Sequence, residues 1–312
     1  MIRFFTEEDI RKKVSMNQAI RLMKDAFVQL SRGVASVPPR TVISTSENSG
    51  TTLYMPSYSP VYDFFGLKMV SVFPENVNIG LPVIQGNMMI MDGTNGKLLA
   101  VLEAEYLTAL RTGAASGLAT DLLSRKDASV LAIFGTGAQA ETQLAGILAV
   151  REIKKVLVFG RTPERILSFC SRMAEKFDVE TLAASSLDEL KQADIICTAT
   201  TSMKPVFQIQ NINHGVHING IGSFKPTMQE IPSQVIKNSL LIVDQYEACL
   251  TEAGDVMIPI QQGLISKLHI YAELGEIIAG EKRGRTSIEQ TTVFKSVGNA
   301  IQDLAVASYL LK

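Results

Sequence analysis

The chain has little of what marks several classes of protein. Its 312 residues contain no tryptophan, three cysteines and three histidines. The cysteines, Cys170, Cys197 and Cys249, form no CxxC pair and are odd in number, which argues against a disulfide framework and against a zinc ribbon. The sequence therefore predicts free thiols in a reducing compartment and no metal site.

A charge surplus and a long apolar run are also missing. Lys and Arg number 30 against 31 Asp and Glu, so the formal net charge is −1. Binding to nucleic acid relies on a basic surplus, so we expect no nucleic-acid partner. No apolar run reaches the roughly 18 residues of a membrane span, and the charged start MIRFFTEEDIRKK lacks the apolar region of a signal peptide. These absences predict a cytoplasmic protein with no membrane partner.

Hydrophobic periodicity divides the sequence into two regions with different patterns. Residues 6–32 predict helix with a break near residues 15–17, and residues 40–102 contain short β-type runs with Asp-Gly and Asn-Gly turn signals. A long helix follows at residues 104–126, and strands then alternate with helices, with a final helix after Thr291. We therefore expect an α/β protein: a Rossmann doubly wound nucleotide domain, plus an α+β domain with a mostly antiparallel sheet.

The sharpest motif is a glycine-rich turn between a buried strand and a helix. Residues 135–140 read GTGAQA, which is G-x-G-x-x-A. Gly135 makes the tight turn, Gly137 lets the backbone approach a pyrophosphate, and the small residue at 140 lets the helix pack on the strand. At the start of the helix, the backbone N–H groups of Ala138 and Gln139 are free to bind the phosphates. The motif therefore predicts a dinucleotide site.

The end of the next strand predicts which dinucleotide binds. Gly160 stands where NAD-binding folds usually carry an acidic residue, and Arg161, Thr162 and Arg165 follow. An arginine fork grips a 2′-phosphate, which a carboxylate would repel. We expect NADPH (NADP+), with NADH as a weaker alternative. The competing interpretation is a solvated helix start with no role in binding.

Together these features resemble the ornithine cyclodeaminase/μ-crystallin family over nearly the whole chain. The resemblance rests on short runs that flank the Rossmann segment: residues 38–40 (PPR), 54–56 (YMP), 66–68 (GLK), 107–116 (LTALRTGAAS), 135–139 (GTGAQ), 218–222 (INGIG) and 292–298 (TVFKSVG). It implies a homodimer built through the β-domain, a nucleotide in the second domain, and an amino or imino acid in a cleft. The corresponding domains are residues 1–115 with 293–312 for substrate and dimerisation, and residues 116–292 for the dinucleotide.

The resemblance also implies roles for individual residues. Arg40, Lys68 and Arg111 fall where the family holds the substrate carboxylate, and Lys68 is the candidate catalytic residue that supplies or relays a proton to nitrogen. Val297 is expected to contact substrate. Cofactor contacts are implied for Arg111, Thr112, Gly135, Gly137, Ala138, Gln139, Arg161, Thr162, Arg165, Thr198 and Ser296. Whether Arg111 serves the substrate or the cofactor pyrophosphate stays open.

One departure from the family pattern bears on the reaction. Cyclodeaminases carry an Asp two residues before a Pro in the segment that reads GSFKP here, and Phe224 takes its place. Phenylalanine cannot move a proton, so ornithine cyclisation is disfavoured. The sequence predicts NADPH-dependent reduction of a cyclic ketimine acid, Δ1-pyrroline-2-carboxylate or Δ1-piperideine-2-carboxylate, to L-proline or L-pipecolate. The alternatives are an ornithine cyclodeaminase, an alanine dehydrogenase, and a μ-crystallin-like protein that binds NADPH and a small molecule without turnover.

Overall fold

Two compact units make up the chain. The computed structural model describes residues 1–45 and 50–312, and it groups Met1–Arg111 with Gly298–Lys312 as one unit and Thr112–Val297 as the other. The boundaries expected from the sequence, after residue 115 and before residue 293, lie a few residues from those of the units. No helix among the described residues is long and apolar enough to cross a membrane.

The first unit holds a six-stranded sheet in the order β1-β6-β5-β4-β3-β2. Adjacent strands in this sheet are antiparallel, except that β1 runs parallel to β6. The strands are β1 Arg3–Phe5, β2 Thr41–Ser44, β3 Thr51–Ser59, β4 Phe64–Val72, β5 Ile84–Asp92 and β6 Leu98–Glu103. The helices that lie in or enter this unit are α1 Glu7–Lys13, α2 Met16–Ser31, α3 Glu105–Leu123 and α10 Ala300–Leu311.

The predicted break in the first helical segment is confirmed. Thr6 caps α1 in a capping box with Asp9, and the Ser15 side chain accepts a hydrogen bond from the Gln18 N–H at the start of α2. Each cap satisfies a backbone donor that the first turn leaves open, so the chain restarts as a new helix at Met16.

The second unit holds an eight-stranded, all-parallel sheet in the order β13-β12-β14-β11-β10-β7-β8-β9. Its strands are β7 Val130–Phe134, β8 Lys155–Phe159, β9 Glu180–Ala183, β10 Ile195–Thr198, β11 His217–Gly220, β12 Leu240–Val243, β13 Ile270–Glu273 and β14 Thr292–Lys295. Its helices are α4 Ala138–Leu148, α5 Pro163–Phe177, α6 Ser233–Lys237, α7 Tyr246–Glu252, α8 Gly254–Gln261 and α9 Leu274–Ile278, with the end of α3.

Both faces of this sheet are covered, as the continuous apolar strands predict. Along β7, Ala132 and Phe134 pack into one hydrophobic core, and Leu131 and Ile133 pack into another. The predicted α/β fold, with one mostly antiparallel sheet and one doubly wound parallel sheet, is confirmed.

The predicted continuous final helix after Thr291 is wrong. Residues Thr292–Lys295 form β14, which pairs with β11 and β12 inside the parallel sheet, and the helix begins only at Ala300. All four strand residues are buried, and Gly298, with φ of 76°, turns the chain between strand and helix. Residues 293–297 therefore belong to the nucleotide-type unit and not to the first unit. Helix α10 packs against α2, β3 and β4.

Candidate functional sites

A pocket of about 690 Å³ opens at the carboxyl ends of the strands in the second unit. Ligands of open α/β sheets bind at such a position, where loops from several strands meet. Four loops supply the walls. The lining residues are Phe134 to Gly137, Phe159 to Thr162, Arg165, Ala184 to Leu187, Ala199 to Ser202, and Lys204 to Val206.

The glycine-rich turn has the local geometry that a pyrophosphate requires. Gly135 has φ of 103°, and a Cβ there would lie 2.5 Å from the Ala199 carbonyl oxygen, so no other residue fits. Gly137 is the N-cap residue directly before α4, and a Cβ there would meet nothing within 4 Å, which leaves open space over the first turn. No described side chain caps that turn, so its backbone N–H groups and the positive end of the helix are available to an anion. The residues present therefore fit a dinucleotide phosphate.

The charged residues that line the pocket are all cationic. They are Arg161, Arg165 and Lys204, and no Asp or Glu is among the described lining residues. The Arg161 and Arg165 guanidinium groups make no hydrogen bond or ion pair with other described residues, and the Thr162 side chain, although at the start of α5, does not cap that helix. A ligand with an additional phosphate would find uncommitted donors there.

Several residues expected to contact cofactor do not line this pocket. Ala138 and Gln139 lie in the first turn of α4 behind the glycines. Thr198 is fully buried, and its hydroxyl donates to Glu230 Oε2 at 3.0 Å. Thr112 is buried, and the Ser296 hydroxyl donates to Asp244 Oδ2 at 2.8 Å.

Sequence reasoning missed Glu230, a buried carboxylate beneath the pocket. It accepts the Thr198 hydroxyl and the backbone N–H groups of Thr200, Gly222 and Ser223, at 3.0, 2.6, 2.6 and 3.1 Å. These donors lie at the ends of β10 and β11, so one side chain joins the two loops. Burial, followed by the nearby Asp255 carboxylate, raises the pKa of Glu230.

A second buried carboxylate and one ammonium complete this network. Asp255 Oδ1 accepts the N–H groups of Glu230 and Ile231, and Lys295 Nζ lies 3.5 Å from Asp255 Oδ2. Lys295 also donates to the Gly220 carbonyl at 2.8 Å. A buried ammonium placed in this way offsets part of the cost of burying two carboxylates.

The three predicted carboxylate-binding residues lie in the first unit and are tied to one segment. Lys68 on β4 donates to Asp303 Oδ2 at 2.6 Å, and Arg111 Nε donates to Asp303 Oδ1 at 3.2 Å. Arg40 Nη2 donates to the carbonyl oxygen of Gly298 at 2.7 Å. Lys68 and Asp303 are essentially inaccessible, with 1% and 0% of their side chains exposed. The structure therefore brings Arg40, Lys68 and Arg111 together around the start of α10.

Burial changes the titration of Lys68. Desolvation is the largest cause, and together with repulsion from Arg111 and Arg40 it outweighs the opposing effect of Asp303, so that the pKa of Lys68 is lowered to about 8. An amine with a pKa near neutrality can both hold and release a proton under ordinary conditions.

Two amide side chains near the cluster carry unpaired polar atoms. Asn299 is 4% exposed, and neither its Nδ2 nor its Oδ1 has a hydrogen-bond partner among the described residues. Gln302 Oε1 accepts Arg111 Nη1 at 2.5 Å, while its Nε2 is likewise unpaired. Buried polar groups of this kind require an explanation, and a ligand is one.

Three other positions of interest lie in the second unit. Val297 is buried, and its N–H donates to Asp244 Oδ2 at 3.0 Å. Phe224 lies in the loop after β11 with 40% of its surface exposed. His217 is fully buried between Thr292 and Asn219, and burial lowers its pKa to about 3, so it is neutral.

The parallel sheet and its glycine-rich turn define a Rossmann-type nucleotide-binding fold. The sequence model of the ornithine cyclodeaminase/mu-crystallin family matches residues 3–311. The chain belongs to the ornithine cyclodeaminase/mu-crystallin family, as its motifs indicate.

Individual relatives are similar over almost the full length. A Delta(1)-pyrroline-2-carboxylate reductase of Bacillus cereus is 44% identical over 96% of this chain and 93% of its own. The structure of Thermococcus litoralis Delta(1)-pyrroline-2-carboxylate reductase with NADH and L-proline superposes with a TM-score of 0.94 at 39% identity, covering 99% of this chain and 96% of the other. An archaeal alanine dehydrogenase dimer with bound NAD has a TM-score of 0.93 at 33% identity, with 99% and 94% covered.

Proposed function

We propose that this protein is an NAD(P)H-dependent oxidoreductase that reduces the C=N bond of Δ1-pyrroline-2-carboxylate to give L-proline. Δ1-Piperideine-2-carboxylate, which would give L-pipecolate, is a second substrate of the same class. The observation that carries the proposal is the buried Lys68–Asp303–Arg111 cluster, in a chain that shares 44% identity with a pyrroline-2-carboxylate reductase.

The residues of the cluster suit an α-imino acid. The substrate carries a carboxylate and an imine nitrogen on the same carbon. Arg111 and Arg40 offer guanidinium groups for the carboxylate, and such pairs are strong when bidentate. Lys68 is placed among them and donates a proton to the nitrogen. Burial of Lys68 and Arg111 excludes water, which strengthens each of these contacts.

The dinucleotide supplies the hydride when it is bound. We propose NADPH as the preferred form, with NADH weaker, because Arg161, Arg165 and Lys204 line the pocket without a carboxylate. The glycine turn of residues 135–137 holds the pyrophosphate. The two reductase and dehydrogenase structures contain NADH and NAD, so the preference for NADPH is a point on which this chain is proposed to differ.

The proposal is tested by following NADPH oxidation with each cyclic imine. Turnover of Δ1-pyrroline-2-carboxylate with formation of L-proline supports it. Pyruvate with ammonia serves as the control substrate for an alanine dehydrogenase, and L-ornithine without reductant for a cyclodeaminase. Turnover in a control but with neither imine would refute the proposal. Binding of NADPH with no turnover of any substrate would instead favour a non-catalytic binding protein.

We also propose that two copies of the chain assemble through the first unit. Edge strand β2 is exposed along its whole length, and Val42 and Ile43 in it are 54% and 57% exposed. Three further apolar residues of this unit are exposed: Ile79 by 69%, Leu81 by 51% and Ile84 by 54%. An unpaired edge strand and an apolar surface of this kind invite a partner, and the related alanine dehydrogenase is a dimer.

A further inference from the structure

One short segment holds all three basic residues of the cluster. The carbonyl of Gly298 accepts Arg40, the amide oxygen of Gln302 accepts Arg111, and the carboxylate of Asp303 accepts both Arg111 and Lys68. A Cβ at position 298 would collide with the guanidinium of Arg111. The loop before α10 and its first turn therefore act as a template against which the cations are arranged.

We propose that Asp303 is the positioning residue of the active site, which fixes Lys68 and Arg111 relative to each other and keeps Lys68 protonated. This inference rests on the proposed function and assigns a role to a residue that would not touch the substrate. Each carboxylate oxygen of Asp303 binds one cation: Oδ2 accepts a hydrogen bond from the Lys68 ammonium, and Oδ1 accepts one from Nε of Arg111.

The charges explain why a carboxylate is needed there. Lys68 faces the cations Arg111 and Arg40, the hydroxyl of Thr108 at 3.3 Å, and the carboxylate of Asp303. Burial and both guanidinium groups favour the neutral amine, and only Asp303 among these groups carries the charge that favours the ammonium. Without it, Lys68 would lose its proton and could not donate one to the imine nitrogen.

The spacing explains why one carboxylate serves both residues. The imine nitrogen and the carboxylate of the substrate are attached to a single carbon, so their protein partners must be held at a fixed separation. A carboxylate that binds one partner with each oxygen sets that separation directly. It also removes rotational freedom from Lys68, a side chain that is otherwise flexible.

The first test compares Asp303→Asn with Ser308→Ala on the same helix. Ser308 is also buried, and among the described residues its hydroxyl donates only to the Ala305 carbonyl, so its loss reports on general damage to α10. In Asp303→Asn we expect the alkaline limb of the kcat–pH profile to move down by about one pH unit or more, which from a pKa of about 8 lowers kcat at pH 7.5 at least about threefold. Activity should recover in part near pH 6, where Lys68 is again protonated. An unchanged pH profile would overturn the proposal.

A second measurement does not depend on the reaction. Lysines labelled with 13C at Cε are titrated by NMR without substrate, and the Lys68 signal is identified by its loss in Lys68→Arg. Asp303→Asn should lower the observed Lys68 pKa by about one unit or more. If neither imine turns over and the Lys68 pKa still falls, the proposed function fails and the role of Asp303 stands. If the pKa does not move, the role fails whatever the substrate.

Asp303→Glu separates the two parts of the role and also serves if the Asn variant does not fold. It keeps the charge but moves the carboxylate by one methylene. The Lys68 pKa should stay near that of the wild type while kcat/KM falls at least about tenfold. Wild-type kcat/KM in this variant would show that the placement of the carboxylate is unimportant and would overturn the positioning role.

Discussion

At the residue scale, we propose that a pair of guanidinium groups distinguishes NADPH from NADH. Arg161 and Arg165 line the pocket, and neither is paired with another described residue. They follow Gly160, which stands where NAD-binding folds usually carry an acidic residue. Their charge is exposed in the absence of a phosphate, so it contributes little to stability. We propose that this charge serves to recognise the 2′-phosphate.

Arg161→Ala should therefore weaken NADPH and leave NADH nearly unchanged, since only NADPH has the 2′-phosphate. A charge-assisted hydrogen bond contributes about 1.5–3 kcal/mol, which corresponds to a loss of about ten- to a hundredfold in affinity. Fluorescence titration with each dinucleotide measures this. Arg172→Ala, at an exposed position of the following helix α5, is the matched control. Equal losses for NADPH and NADH would show that Arg161 does not discriminate between them.

The candidate residues that could be predicted are those in contiguous motifs. The turn at residues 135–137 and the cations at 161 and 165 lie in the pocket because a strand, a turn and a helix fix them locally. Asp303 and Glu230 could not be found in this way. Their importance lies in partners distant along the chain, such as Lys68 for Asp303, and no local pattern encodes such a contact.

At the scale of elements, the loops after β10 and β11 depend on one buried side chain. Glu230 accepts one hydrogen bond from the last residue of β10 and three from the loops after β10 and β11, and Ala199 to Ser202 of the first loop line the pocket. The wall of the pocket is therefore held from beneath by a group that does not reach its surface.

Glu230→Gln should loosen this wall. A glutamine offers one acceptor oxygen, and its NH2 group would face N–H donors. Buried donors are then left unpaired, and each costs about 1–3 kcal/mol of stability. We expect affinity for NADPH to fall about tenfold or more and amide exchange at residues 199–202 to accelerate. Glu247→Gln, an exposed position in the same unit, is the control. Unchanged exchange in the Gln variant would exclude this supporting role.

The alternation of strands and helices was predictable because each buried strand is a compact apolar run. The sequence predicts helix at residues 292–295, where the structure has a strand, because this segment is short and leads into the apolar sequence of α10. The strand is set by its register between β11 and β12, a non-local pairing that overrides local preference.

At the scale of the whole molecule, we propose that the exposed apolar surface of the first unit joins two copies of the chain. Ile84→Lys places a charge on that surface and should shift the protein from dimer to monomer in sedimentation or light scattering at micromolar concentration. Leu268→Lys is the matched control, because Leu268 is 93% exposed in the second unit. A wild-type protein that is monomeric at these concentrations would contradict the proposed dimer, as would an unchanged dimer in Ile84→Lys.

The first unit is discontinuous along the chain, and this has a consequence for biosynthesis. Helix α10 packs against α2, β3 and β4, yet the ribosome makes all of the second unit before it makes α10. Domains tend to fold as they emerge, so the parallel sheet can form while the first unit still lacks a wall of its core. Until α10 arrives, Lys68 and Arg111 have no Asp303 and stay hydrated. The nascent chain therefore completes its nucleotide-type unit first, and the cluster that we assign to the substrate is assembled last.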